Sequence, residues 1–113
     1  MVVNRFRVDE HDPAAVARFR ADATAALAAL AERPGHLAGE LGRNLDDPGL
    51  WLLATTWENV GSYRRALSSY AVKVSAVPLL SRAVDEPSAY ELVRPGDPTN
   101  DARVRDLGQQ DGR

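Results

Sequence analysis

The chain of 113 residues contains no cysteine. Disulfide bonds, thiolate nucleophiles and cysteine-ligated zinc or iron–sulfur centres are excluded with it. Lysine is almost as scarce: Lys73 stands alone among many arginines. There are only two histidines, His11 and His36. Charge of one sign is also lacking, with 14 basic residues against 16 acidic ones and a formal net charge of −2. A balanced, slightly acidic chain has no basic surface with which to displace counterions from nucleic acid, and no polybasic segment for an anionic membrane. No apolar run approaches the roughly 20 residues of a membrane span. The opening MVVNRFRVDEHD carries charges within a few residues and has no apolar stretch of the secretory type. The expected location is the cytoplasm, with no nucleic-acid or membrane partner.

What is present is enough for one domain of ordinary apolar content, 44%. Residues 2–8, VVNRFRV, are β-branched and aromatic and predict a strand with Val2, Asn4, Phe6 and Val8 on one side. Asp12-Pro13 combines an N-cap acceptor with proline at the first helical position. Val16, Phe19, Ala23, Leu27 and Leu30 then recur at helical spacing, and Pro34-Gly35 stops the pattern, so a helix is expected over 13–32. Residues 36–43 predict a second strand with Leu37, Gly39, Leu41 and Arg43 on a shared side. A turn cluster at 46–49 leads to a third strand, LWLLATTW, at 50–57. That strand is apolar on both sides and needs two covers. Asn59 caps a further helical stretch that continues through 70–84, with Pro78 forcing a kink or break. SAYELVR at 88–94 predicts a fourth strand, and residues 95–113 a flexible tail.

The order β-α-β-β-α-β is the ferredoxin-like plan, an α+β fold with both helices on one face of an antiparallel sheet. The face left open is apolar enough to be an interface. Pairing two such faces gives a homodimeric α/β barrel.

The stretch PGHLAGELGRNLDDPGLWLLATTWENVGSYRRALSS resembles the central part of the antibiotic biosynthesis monooxygenase superfamily. The likeness lies in Pro34-Gly35 opening strand two, an arginine near its end, Thr56-Trp57-Glu58 closing strand three, and a helix with Tyr63 and Leu67. It covers about residues 1–94. It implies a monooxygenase-type oxidoreductase without a cofactor, acting on a planar aromatic or polyketide-type phenol with dioxygen. The alternative is a non-catalytic dimer of the same fold that binds a small hydrophobic ligand or serves in stress. Haem degradation comes third. The haem-degrading members have an Asn on strand one, matched by Asn4, and a Trp matched by Trp57, but also a histidine on the following helix. The stretch 69–76, SYAVKVSA, contains none, and Tyr70 is its only side chain able to ligate iron.

Asn4 and Trp57 are the expected catalytic residues, for positioning and for stacking. Tyr63, Tyr70, Phe6 and Arg43 are expected to bind substrate. Each has a plainer role open to it: Trp57 as core filler, Asn4 bonded to backbone, the tyrosines and Arg43 as surface groups. His36 and Glu40 lie about 13 Å apart if the strand is regular, too far to share a metal. No histidine is expected at the cleft. Nucleophile-elbow, dinucleotide and P-loop patterns are absent.

Overall fold

The computed structural model describes residues 1–99. Its elements are β1 (Val2–Arg7), α1 (Pro13–Ala31), β2 (His36–Arg43), β3 (Leu50–Trp57), α2 (Val60–Leu67), α3 (Tyr70–Ser75) and α4 (Val77–Leu80). The strands form an antiparallel sheet in the order β1-β3-β2, with β3 central. The helices lie on one face, as the α+β ferredoxin-like plan requires.

Local chemistry sets the boundaries. Asp12 accepts from the backbone N–H groups of Ala14 and Ala15 and starts α1. Asn59 does the same for α2 through the Ser62 N–H, and Ser69 for α3 through that of Val72. The turn from α1 to β2 closes with His36 N–H donating to Arg33 O at 3.2 Å. Pro34 and Gly35 occupy its centre, and Gly35 has φ +89°, the pairing of a type II turn. The helical stretch after α2 does not merely kink at Pro78. It breaks at Ala76, whose backbone is non-helical, so that Pro78 falls in the first turn of α4 and needs no N–H donor there.

Alternation along β3 divides the sheet. Trp51, Leu53, Thr55 and Trp57 are buried towards the helices, opposite Phe6, Asn4 and Val2 of β1. Phe6 packs on Phe19 of α1, with ring centroids 5.2 Å apart, and Phe19 on Trp51 at 5.4 Å. Ala23, Ala26 and Leu30 of α1, Val72 of α3 and Leu79 of α4 complete this core. The other face presents Val3 and Arg5 from β1, Leu52, Ala54 and Thr56 from β3, and Glu40 and Gly42 from β2; no helix of the described residues covers it.

Two departures from the expected pattern follow from backbone geometry. First, β2 bulges. His36 pairs with Trp57 and Ala38 with Thr56, so Leu37 is the extra residue. Leu37 is therefore displaced from the side of Gly39, Leu41 and Arg43 and is 60% exposed. Second, the expected fourth strand reduces to an isolated bridge between Ala89 and Val2. The segment runs along the free edge of β1, with Val84 N–H donating to Arg5 O, Val3 N–H to Ser88 O and Tyr90 N–H to Met1 O. Residues 91–94, beyond the bond of Tyr90 to Met1, are not in a strand. Arg5 and Glu86 pin the segment through a two-pronged ion pair at 2.6 and 2.7 Å. Of the expected tail, residues 95–99 hold a turn at Pro95-Gly96, and the remainder lies outside the described residues.

Candidate functional site

The polar and aromatic groups on the helix-facing side of the sheet gather at the end where β3 runs into α2. Trp57 is 6% exposed and its indole N–H donates to the Thr55 hydroxyl at 2.8 Å. That bond links residues two apart on one strand, which share a face. Tyr63 projects from the first turn of α2, its ring 5.6 Å from that of Trp57. Asn4 lies opposite Leu53 on β1 and so faces the same side of the sheet. Burial pushes the Tyr63 phenol above its ordinary range, and the hydrogen bond with Asn4 opposes part of that rise. The phenol is thus held neutral through the physiological range.

His36 stands beside Trp57 but does not line the cavity next to it. Its ring meets Trp57 edge-on at 5.1 Å. Its Nε2 is buried and makes no hydrogen bond. The bulge at Leu37 is responsible, because it places His36 directly opposite Trp57 on the helix-facing side. Gly39 leaves room beside this nitrogen: a Cβ there would come within 3.3 Å of Nε2 and 2.9 Å of Leu27. Pattern reading treats β2 as regular, and only the pairing of His36 with Trp57 exposes this residue.

A cavity of about 500 Å³ opens beside the cluster. Trp57 and Tyr63 form its inner wall, with Val2, Asn59 and Val60, and the 89–92 segment forms its outer wall. Its size falls within the usual span of small-ligand sites, roughly 300–1,000 Å³.

Of the six residues singled out by sequence, Trp57 and Tyr63 line this cavity, while Asn4 lies on the same face of the sheet but not on the lining. Phe6 lies deeper in the core against Phe19. Arg43 sits at the other end of the sheet, its guanidinium 5.2 Å from the centre of the Trp51 ring. It borders a separate cleft of about 250 Å³ with Arg5 and Leu52. Tyr70 is 84% exposed on α3 and lines neither space. Among the described residues no group of three or more His, Asp or Glu side chains is placed to hold a metal ion, and no helix is long and apolar enough to cross a membrane.

Comparison with solved structures places this arrangement among similar proteins. SnoaB of Streptomyces nogalater, described as a cofactor-independent oxygenase, is 24% identical with a TM-score of 0.65, covering 84% of this chain and 94% of its own. A variant of SnoaB aligns at 28% identity and TM-score 0.60, over 73% of this chain and 80% of the other. A conserved protein of Methanosarcina mazei Go1 is 22% identical with TM-score 0.61, over 78% and 83%. No curated protein matches. The family described as antibiotic biosynthesis monooxygenase matches residues 1–76, which hold all three strands, α1, α2, α3 and Asn4, Trp57, Tyr63 and His36. The chain belongs to the antibiotic biosynthesis monooxygenase family.

Proposed function

We propose that the protein is a cofactor-independent monooxygenase acting on a planar phenolic or polyketide-type substrate with dioxygen. The observation that carries this reading is the Trp57–Tyr63 aromatic pair at the wall of a ligand-sized cavity. In chemistry of this kind the deprotonated substrate is itself the reductant of dioxygen. The protein supplies a dry pocket, orientation and stabilisation of the anion. Trp57 offers an aromatic surface for a flat ring system. The Tyr63 hydroxyl offers a donor for a developing phenolate oxygen, and the Asn4 amide a second from the same face of the sheet. His36, beside Trp57 but off the cavity lining, adds an imidazole, the side-chain type best suited to accept a proton near neutral pH. The similarity to SnoaB supports the same reading.

The open sheet face supports a homodimer, in which a second copy would shield Leu52, Ala54 and Val3 from water. A cytoplasmic location fits the same picture. The competing reading is a ligand-binding dimer without turnover. It is favoured by one observation: the Trp57 N–H is already bonded to Thr55 and is not free for a substrate carbonyl.

Oxygen uptake with a hydroxyanthrone separates the two. Wild-type protein should consume oxygen, and Asn4→Ala or Trp57→Phe should lower kcat/KM by at least about tenfold, the loss of one oriented interaction in the transition state. Tight hydroxyanthrone binding without oxygen uptake would decide for the binding protein. Sedimentation at micromolar concentration reads the assembly directly, and a stable single protomer would remove the proposed barrel.

A further inference from the structure

The rim of the cavity beside Trp57 carries two carboxylates and one cation, the Met1 ammonium. Glu58 and Glu91 both line it, and no arginine or lysine does. The Met1 amine is also at the wall and donates to Tyr90 O at 2.9 Å. Glu58 directly follows Trp57, and its backbone N–H is fixed by Gly35 O at 2.8 Å, so its position relative to the indole is set by the same turn that orients His36. The Glu58 side chain enters none of the three ion pairs among the described residues, which join Arg5 to Glu86, Arg7 to Asp47 and Arg82 to Asp22. Its Oε1 lies 3.5 Å from where a Gly35 Cβ would stand, and the residue also lines the cavity.

We propose that Glu58 makes this cavity selective by charge. It admits planar aromatic ligands that are uncharged or cationic at their periphery and disfavours those carrying a carboxylate. The inference rests on the reading of the cavity as the ligand site, and it adds the substrate class. The inner wall of Trp57 and Tyr63 takes any flat ring. A ligand carboxylate stacked there would lie within a cavity's width of the Glu58 carboxylate. Two like charges at that range, partly screened by solvent, weaken binding roughly three- to tenfold.

The test compares an uncharged hydroxyanthrone with its carboxylated counterpart, with affinities measured by quenching of tryptophan fluorescence, so that turnover is not required. Wild-type protein should bind the uncharged compound at least about threefold more tightly in low salt, with the preference shrinking as salt rises. Glu58→Gln should bring the two affinities together, and Glu58→Lys should invert their order. The affinity of the uncharged compound should change less than about twofold in Glu58→Gln, which also verifies that the variant folds. Equal affinities in wild type, or a preference unaltered by Glu58→Lys, would overturn charge selection and leave the pocket intact. Failure of both compounds to quench, or quenching that survives Trp57→Phe unchanged, would overturn the pocket itself and this inference with it.

Discussion

Replacing Gly35 with alanine should damage fold and site together. Gly35 adopts φ +89°, in the left-handed region that costs an L-residue with a Cβ roughly 1–2 kcal/mol. The added methyl would also lie 2.4 Å from Ser62 Oγ and 2.5 Å from Ser62 Cβ. Ser62 is buried, and its hydroxyl donates to Asn59 Oδ1 and accepts from Arg65, so it cannot swing away without loss. Relieving such a clash costs roughly another 1–3 kcal/mol. The sum, roughly 3 kcal/mol, corresponds to a fall in Tm of at least about 10 °C for a domain of this size. Denaturant unfolding of Gly35→Ala measures it, and a Ser62→Gly background divides it. Removing the Ser62 side chain should recover about 1–2 kcal/mol of the loss through the coupling between the two residues and leave the backbone strain. A loss under about 0.5 kcal/mol, the size of an unremarkable surface change, would refute the argument. So would a full loss in the Ser62→Gly background, because contact with α2 would then contribute nothing.

Tyr63 should ionise later than an ordinary phenol, because burial raises its pKa. For a group whose folded value exceeds its unfolded value of about 10, stability is fully present below that value and is lost as pH rises through the folded one. Alkaline unfolding should therefore steepen above about pH 10 in wild type and flatten in Tyr63→Phe, and the late phenolate absorbance step of wild type should be missing from Tyr63→Phe. Thr55→Val would strip the Trp57 N–H of its acceptor inside the core; chemical denaturation should report a loss of about 1–3 kcal/mol, and Thr55→Ser should restore most of it.

Much of this structure is legible in the residues. Helix α1 follows from Asp12-Pro13, its apolar spacing and Pro34-Gly35. Strand β3 follows from an eight-residue run, LWLLATTW, that is apolar on both sides. The grouping of Trp57 and Tyr63 was readable from the family resemblance. Three features were not. The bulge at Leu37 is a matter of pairing register, and residue types do not announce it, so His36 looked remote from Trp57. Residues 88–94 have strand chemistry, but a strand also needs a paired neighbour, and only Ala89 bridges to β1, at Val2. Tyr70 and Arg43 look like site residues by type, yet the break between α2 and α3 turns the first to solvent, and strand length carries the second to the far end of the sheet.

The single surplus residue at Leu37 also separates two design problems. Adding or removing a residue at the mouth of a strand rotates only what precedes it, while the six residues from Ala38 to Arg43 keep their seats against β3. The side chain offered to Trp57 can thus be exchanged, imidazole for another group, without unzipping the wall behind it. A lineage built on this scaffold has there a cheap place to vary its chemistry while its architecture stays put.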